Sequence, residues 1–127
     1  MSTFAEEMEK IPARVQYGIM FVPGITSDQI RDVNIADLHI GCPENCMIGQ
    51  IYGNWTFWRE QFSIDDQFAV DLGTVAPNFD DAVDLEDWQV KTKAYEKALC
   101  AEWIRRITMM RNPVTEIIQP ERVLEDA

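Results

Sequence analysis

The hydrophobic pattern of the chain predicts a mainly α-helical protein whose strongest element lies near the C-terminus. Between Leu85 and Arg111 the sequence contains no glycine or proline. Its large apolar residues recur at steps of seven, four, four, four and three: Trp88, Tyr95, Leu99, Trp103, Ile107 and Met110. Residues at such steps lie on one face of a helix. With Asp84 as its cap and Asn112-Pro113 as its stop, this segment is predicted to form one long helix.

Shorter elements are predicted before this helix. Thr3 and Glu6 have the spacing of a capping box and predict a short helix that Pro12 limits. The apolar stretch from Gly18 to Gly24 is interpreted as a connector.

Two further short helices are predicted in the middle of the chain. One begins at about Glu44 and ends at Gly53. The other begins with Ser63 as its cap, because Asp66 completes a second capping-box pattern.

Length and composition favour a single soluble, intracellular domain. The chain has 127 residues, of which 46% are apolar, and single domains cluster at about 100–150 residues. No apolar run approaches the ~20 residues of a membrane span, and the first charges are acidic, unlike those of a secretory signal. We therefore predict a mainly α, small single-domain helical bundle over residues 1–127, with a frayed tail at about 119–127 and a cytoplasmic location.

Negative charge is concentrated in one segment. The net charge is −11, and residues 64–90 hold eight acidic side chains and no basic one. Affinity for DNA, RNA or anionic lipid comes largely from Lys and Arg, so direct binding to nucleic acid or to a membrane is disfavoured. This field instead suits a basic protein surface. The alternative is that the charge only keeps the domain soluble.

The acidic candidates for partner binding are the aspartates outside the long helix. Asp84, Glu86 and Asp87 open that helix, where carboxylates favour the positive end of the helix dipole. The remaining candidates are expected to stay free to meet a partner: Asp65, Asp66, Asp80 and Asp81.

Phe57 is the apolar candidate for partner binding. Behind the cap Asn54, the spacing of Trp55, Trp58 and Phe62 is that of one helix face. We interpret these three as core residues, although Trp is also common in interface hot spots. Phe57 falls off that face and is therefore the better interface candidate.

One cluster has the residue types of a metal site: His39, Cys42 and Cys46, with Cys100 as a distant fourth member. The spacing could supply four zinc ligands, and Cys46 with His39 as base could instead act as a nucleophile. No Cys-x2-Cys pair is present, however, and free cysteines are commonly buried in cores. We therefore predict ordinary core cysteines, with no metal, no other cofactor and no catalytic residue.

The octet from Cys46 to Gly53, Cys-Met-Ile-Gly-Gln-Ile-Tyr-Gly, resembles a segment of small proteins of tailed phages and prophages of actinobacteria. The resemblance extends to Leu72-Gly73 and to the helix around Trp103. Family members tend to have an aromatic residue after Leu-Gly, whereas Thr74 follows here. The resemblance implies an accessory protein that acts inside a bacterium, and it implies no activity.

Two functional hypotheses follow. The first is a non-enzymatic interaction protein whose acidic face binds and modulates or inhibits a host protein, in its sharper form as a DNA mimic. The second is a small enzyme or ligand-sequestering protein with a pocket near His39, Cys46 and Gln50. The absence of a recognisable catalytic motif favours the first.

Overall fold

The computed structural model describes residues 2–112, and these residues contain seven α-helices. They are α1 (Phe4–Glu9), α2 (Ile11–Phe21), α3 (Ser27–Arg31), α4 (Met47–Tyr52), α5 (Trp55–Gln61), α6 (Asp66–Asp71) and α7 (Leu85–Arg111), with a 3₁₀ turn at Ile35–Asp37. No β-strand occurs between residues 2 and 112. The predicted mainly α fold with one long C-terminal helix is therefore confirmed, while the tail at 119–127 lies outside the described residues.

Helix α7 lies at the centre of the core, as its apolar pattern predicts. Asp84 caps it, since Asp84 Oδ1 accepts a hydrogen bond from the Asp87 N–H at 2.8 Å. Four side chains one turn apart are completely buried: Tyr95, Leu99, Trp103 and Ile107. The two outer members of the predicted stripe, Trp88 and Met110, are only half-buried. Helices α1, α2 and α3 all pack against α7.

Helix α2 runs alongside α7 in the same direction. Arg14 contacts Tyr95, and one turn further along α2 Gly18 lies beside Trp103. A Cβ atom at Gly18 would come within 2.2 Å of the Leu72 carbonyl oxygen. Because ordinary van der Waals contacts are much longer, only glycine permits this approach of α2 to the chain at Leu72.

The prediction of a connector from Gly18 to Gly24 is wrong for its first half. Helix α2 continues to Phe21, and only the Pro23-Gly24 turn behaves as predicted. The predicted short helix before Pro12 is confirmed, because α1 ends at Glu9. Pro12 itself occupies the first turn of α2, where the missing N–H of proline leaves no hydrogen bond unmade.

Two predicted helix starts also differ from the structure. Helix α4 starts at Met47, with Cys46 as its cap, rather than at about Glu44. Helix α6 is capped by Asp65, whose Oδ1 accepts from the Phe68 N–H at 2.7 Å, and not by Ser63. Ser63 adopts a left-handed backbone with φ 54°, so it reverses the chain between α5 and α6.

Helix α5 confirms part of the predicted aromatic face. Trp58 is fully buried and donates its indole N–H to the Pro23 carbonyl oxygen at 2.9 Å. Trp55 and Phe62 are half-buried against the core. Phe57 lies off this face, as predicted, with 56% of its surface exposed.

Candidate interaction surface

Asp65 and Asp66 are exposed, and both also have a role in the fold. Asp65 caps α6 through one carboxylate oxygen, Oδ1. Asp66 forms an ion pair with Arg59 of α5, again through Oδ1. Arg59 also lies over the ring of Trp55, 5.5 Å from its centroid. The two carboxylates therefore hold the α5–α6 junction while facing solvent.

Asp80 and Asp81 attach the segment before α7 to the N-terminus. The Asp80 N–H donates to the Ser2 carbonyl oxygen at 2.9 Å. Asp81 Oδ1 accepts from the Phe4 N–H at 2.9 Å, at the start of α1. Within residues 2–112 the Asp80 carboxylate itself makes no hydrogen bond or ion pair. Asp65, Asp66 and Asp81 are therefore exposed and also make contacts within the fold, which the sequence did not predict.

One cavity is lined by one aspartate from each pair. Asp66 and Asp80 both line a cavity of about 560 Å³, whose wall also includes Glu7, Lys10 and Arg14. The structure therefore places α6 and the segment before α7 beside each other, although these aspartates are 14 positions apart in the sequence.

Phe57 lies away from the acidic surface, the part of the molecule that carries Asp65, Asp66, Asp80 and Asp81. Successive residues of a helix are turned by about 100°, so Phe57 and Arg59 project from nearly opposite sides of α5. Because Arg59 pairs with Asp66, the exposed Phe57 ring faces away from that ion pair. The structure does not assemble Phe57 and the aspartates into one patch.

A buried charged group lies behind the acidic surface. Arg14 Nη1 lies 2.5 Å from Glu7 Oε1 and donates a hydrogen bond to the Tyr95 hydroxyl oxygen at 2.9 Å. Burial alone would raise the pKa of Glu7, but hydrogen bonds and the positive charges of Arg14 and Lys10 lower it on balance. Burial raises the pKa of Tyr95. This group joins α1, α2 and α7, and the sequence analysis did not identify it.

The four residues weighed as zinc ligands do not form a metal site in the described part of the chain. Cys46 Sγ is buried and accepts from the Gly49 N–H at 3.3 Å, while Cys100 Sγ donates to the Leu38 carbonyl oxygen at 3.3 Å. His39 is exposed. Residues 2–112 contain no group of three or more His, Cys, Asp or Glu side chains placed to hold a metal ion.

Cys46 also lacks the environment of a nucleophile. Burial raises the pKa of its thiol, which favours the protonated, unreactive form. Cys46 is the cap of α4, whereas the predicted helix start at about Glu44 placed it in the first turn. The thiol therefore acts in this structure as the hydrogen-bond acceptor that begins a helix.

The pocket expected near His39, Cys46 and Gln50 is not formed as a single site. His39 lines a cavity of about 440 Å³, and Cys46 lines a different one of about 260 Å³. Glu96 borders both cavities, and burial raises the pKa of its carboxyl group. Gln50 lines neither cavity, because its amide is bonded to the Asn34 N–H and to the carbonyl oxygens of Asn34 and Asn45.

The octet that resembles phage proteins has a structural role at each of its polar and glycine positions. Cys46 caps α4, and Gly49 fits where a Cβ would lie 2.2 Å from a carbonyl oxygen of the preceding turn. Gln50 bridges that turn to the neighbouring loop. The Tyr52 hydroxyl donates to the Gly24 carbonyl oxygen at 2.8 Å, and Gly53 ends α4 with φ +90°. Gly49 is therefore a packing contact within the domain.

The sequence analysis missed one exposed apolar group, on α2. Tyr17, Met20 and Phe21 have the i, i+3, i+4 spacing of one helix face. This spacing could have predicted a helix, but residues 18–24 were interpreted as a connector. In the structure all three side chains are exposed.

Comparison of the chain with protein-family models, curated proteins and solved structures gives no match. Among the described residues, no helix has both the length and the apolar character required to cross a membrane.

Proposed function

We propose that this protein is a non-enzymatic interaction protein whose acidic surface docks on a basic surface of another protein. The observation that carries the proposal is the segment 64–90, with its eight carboxylates and no basic side chain. Its four candidate aspartates are exposed: Asp65, Asp66, Asp80 and Asp81. Complementary charge mainly raises association rate and specificity.

The way the aspartates are held supports this proposal. Asp65, Asp66 and Asp81 each use Oδ1 for a contact within the fold. Their other oxygen, Oδ2, makes no hydrogen bond with residues 2–112. A carboxylate anchored by one oxygen has already lost rotamer freedom, so its second oxygen can meet a cation at a lower entropic cost.

Internal ion pairs do not cancel the charge of the segment. Asp87 pairs with Lys91 at 2.6 Å, and the hydrogen bond from Lys91 lowers the pKa of Asp87. Asp66 pairs with Arg59. Within residues 2–112 these are the two ion pairs formed by the eight carboxylates, so most of their charge remains available at the surface.

In its sharper form the proposal is that the carboxylates stand in for the phosphates of DNA, and that the partner is a nucleic-acid-binding protein of a bacterial host. Such a partner already carries Lys and Arg arranged to neutralise regularly spaced negative charges. The resemblance of the Cys46–Gly53 octet to phage proteins supports an accessory role in the bacterial cytoplasm.

The proposal is tested by changing Asp65, Asp66, Asp80 and Asp81 together to Asn. Immobilised protein is incubated with bacterial lysate at low and high salt, the retained protein is identified, and its dissociation constant is then measured with purified material. We expect the variant to bind that partner at least about tenfold more weakly, because several interfacial charges are lost.

A matched control removes four exposed negative charges elsewhere: Glu9→Gln, Asp32→Asn, Glu44→Gln and Glu60→Gln. This control has the same net charge as the test variant, so it should bind nearly as well as wild type if position matters. Equal losses in the two variants would mean that binding depends on the total negative charge of the protein and not on the position of these four aspartates. Capture that neither variant nor salt changes would contradict the proposal.

A further inference from the structure

Helix α2 has a solvent face without charge. Its exposed residues are all uncharged: Pro12, Ala13, Tyr17, Met20 and Phe21. The only ionisable group of the helix besides the Tyr17 hydroxyl is Arg14, which is buried against Glu7 and Tyr95. A surface helix normally presents a polar face to water. Helix α2 therefore lacks the polar face that would explain its exposure.

The exposed apolar side chains of α2 form one continuous patch. Tyr17, Met20 and Phe21 are 41%, 60% and 53% exposed. The rings of Tyr17 and Phe21 pack together, with centroids 4.9 Å apart. Contiguous apolar patches on a protein surface mark interaction sites, and Tyr, Phe and Met are enriched in interface cores. Scattered single residues, such as Val83 or Val90, carry no such implication.

The distribution of charge indicates what can cover this patch. A basic partner finds no carboxylate on the exposed face of α2 to pair with, whereas it finds eight in residues 64–90. A second copy of the chain, with its net charge of −11, is repelled wherever acidic surfaces would meet. At the exposed side chains of α2 two copies can approach without placing like charges directly opposite each other. Lys10 and Asp71, which border this face beside Ala13 and Tyr17, have opposite signs.

We propose that the α2 face is a self-association surface on which two copies of this chain meet about a two-fold axis. A two-fold interface uses the same patch on both partners, so the patch must be complementary to itself. Ala13, Tyr17 and Phe21 form one i, i+4, i+8 ridge. If two α2 helices cross in opposite directions near Tyr17, the small Ala13 of each copy faces the large Phe21 of the other.

The patch is small, and this sets the expected strength. Stable interfaces bury about 800 Å² on each partner, whereas this one rests on three partly exposed side chains and their small neighbours. The two copies should therefore associate weakly and reversibly, with a dissociation constant of roughly 10⁻⁵ to 10⁻³ M.

Salt gives a clear criterion, because its effect here is opposite to its effect on acidic docking. Added salt screens the repulsion between two negatively charged chains and should strengthen self-association. The same salt should weaken the capture of a basic partner. Self-association and the proposed function can therefore fail or succeed independently.

Analytical ultracentrifugation of the full chain tests the proposal, with the protein alone at about 10⁻⁵ to 10⁻³ M and at low and high salt. We expect the weight-average mass to rise with concentration from 14.7 kDa toward twice that value, and to rise further at high salt. A mass that stays at the monomer throughout would overturn the proposal, as would growth beyond the dimer.

The variant Met20→Glu/Phe21→Glu tests whether the α2 face is responsible. It adds two charges to the patch without touching the buried side of α2, and it should weaken self-association at least about tenfold. The matched control, Val83→Glu/Val90→Glu, adds the same charge at exposed apolar positions outside the patch. The control should associate like wild type, and an equal loss in both variants would contradict the assignment.

A dilution series of ¹H–¹⁵N spectra gives a second measurement that uses only the wild-type chain. Concentration-dependent shifts should be confined to α2 and to residues packed beside it. Shifts centred on residues 80–90, which lie outside α6, would place self-association elsewhere and overturn the proposal. Circular dichroism of both Glu variants confirms that each remains folded before its mass is interpreted.

Discussion

The Glu7–Arg14 pair and the aspartates of residues 64–90 hold charge in contrasting ways. Glu7 and Arg14 are 5% and 8% exposed, and each charge has its partner within the fold. Asp65 and Asp81 are exposed, and each gives one oxygen to a backbone N–H and leaves the other to solvent. The buried charges are therefore paired within the fold. The surface charges also make contacts within the fold, but they still face solvent, where a partner could reach them.

The largest effect is expected where the buried pair is broken. Arg14→Met should lower the free energy of unfolding by up to about 3–5 kcal/mol, because it leaves the buried Glu7 carboxylate with only its longer contact to Lys10, at 3.5 Å. The Tyr95 hydroxyl also loses its donor. Chemical denaturation of the purified variant measures the change.

The double variant Glu7→Leu/Arg14→Met is the matched control for that prediction. Replacing both members of a buried ion pair with apolar residues is often close to neutral. We expect it to recover much of the stability that Arg14→Met loses. An Arg14→Met variant as stable as wild type would contradict the contrast between the buried Glu7–Arg14 pair and the exposed aspartates.

The same pair predicts a dependence of stability on pH. The pKa of Glu7 is lowered in the folded state from its ordinary value of 4.5, so its ionised form is favoured by folding. This contribution is fully present above pH 4.5 and is lost as the pH falls through the lowered pKa. Stability measured by denaturation between neutral pH and about pH 3 should therefore fall most steeply below pH 4.5.

Glu7→Gln gives the comparison for the pH series. This variant cannot ionise at position 7, so its stability should be lower at neutral pH and should fall less steeply below pH 4.5. If its slope equalled that of wild type, the acid sensitivity would come from other carboxylates.

Local patterns predicted the elements that depend on neighbours in the sequence. The apolar steps of α7 and the cap Asp84 are of this kind, because a helix and its cap involve residues within a few positions. The Thr3 and Glu6 capping box of α1 is also confirmed, with both hydrogen bonds present. Such features need no knowledge of the rest of the fold.

Features made by distant residues could not be predicted in this way. Gly18 indicates a connector by itself, and only the carbonyl group of Leu72 beside it explains a glycine within α2. Arg14 and Tyr95 are 81 positions apart. Asp81 meets the Phe4 N–H from 77 positions away. Composition identified the acidic segment, but the anchoring of its carboxylates depends on tertiary contacts.

The smallest expected effect is at Asp65, where the two uses of one carboxylate can be separated. Asp65→Ala removes the acceptor of the Phe68 N–H at the start of α6 and should cost about 1 kcal/mol of unfolding free energy. Asp65→Asn keeps an oxygen at that position, and Asn caps helices about as well as Asp, so its cost should be within about 0.5 kcal/mol. Thermal melting compares the two.

We expect Asp65→Ala and Asp65→Asn to differ in stability but not in affinity for a partner. Both lose the same charge, so under the proposed function both should weaken capture of a basic partner by a similar factor. A partner affinity that follows stability, with Asp65→Asn like wild type, would mean that Asp65 acts only as a cap. Equal affinities with unequal stabilities would show one carboxylate holding α6 through Oδ1 while its charge serves the interface.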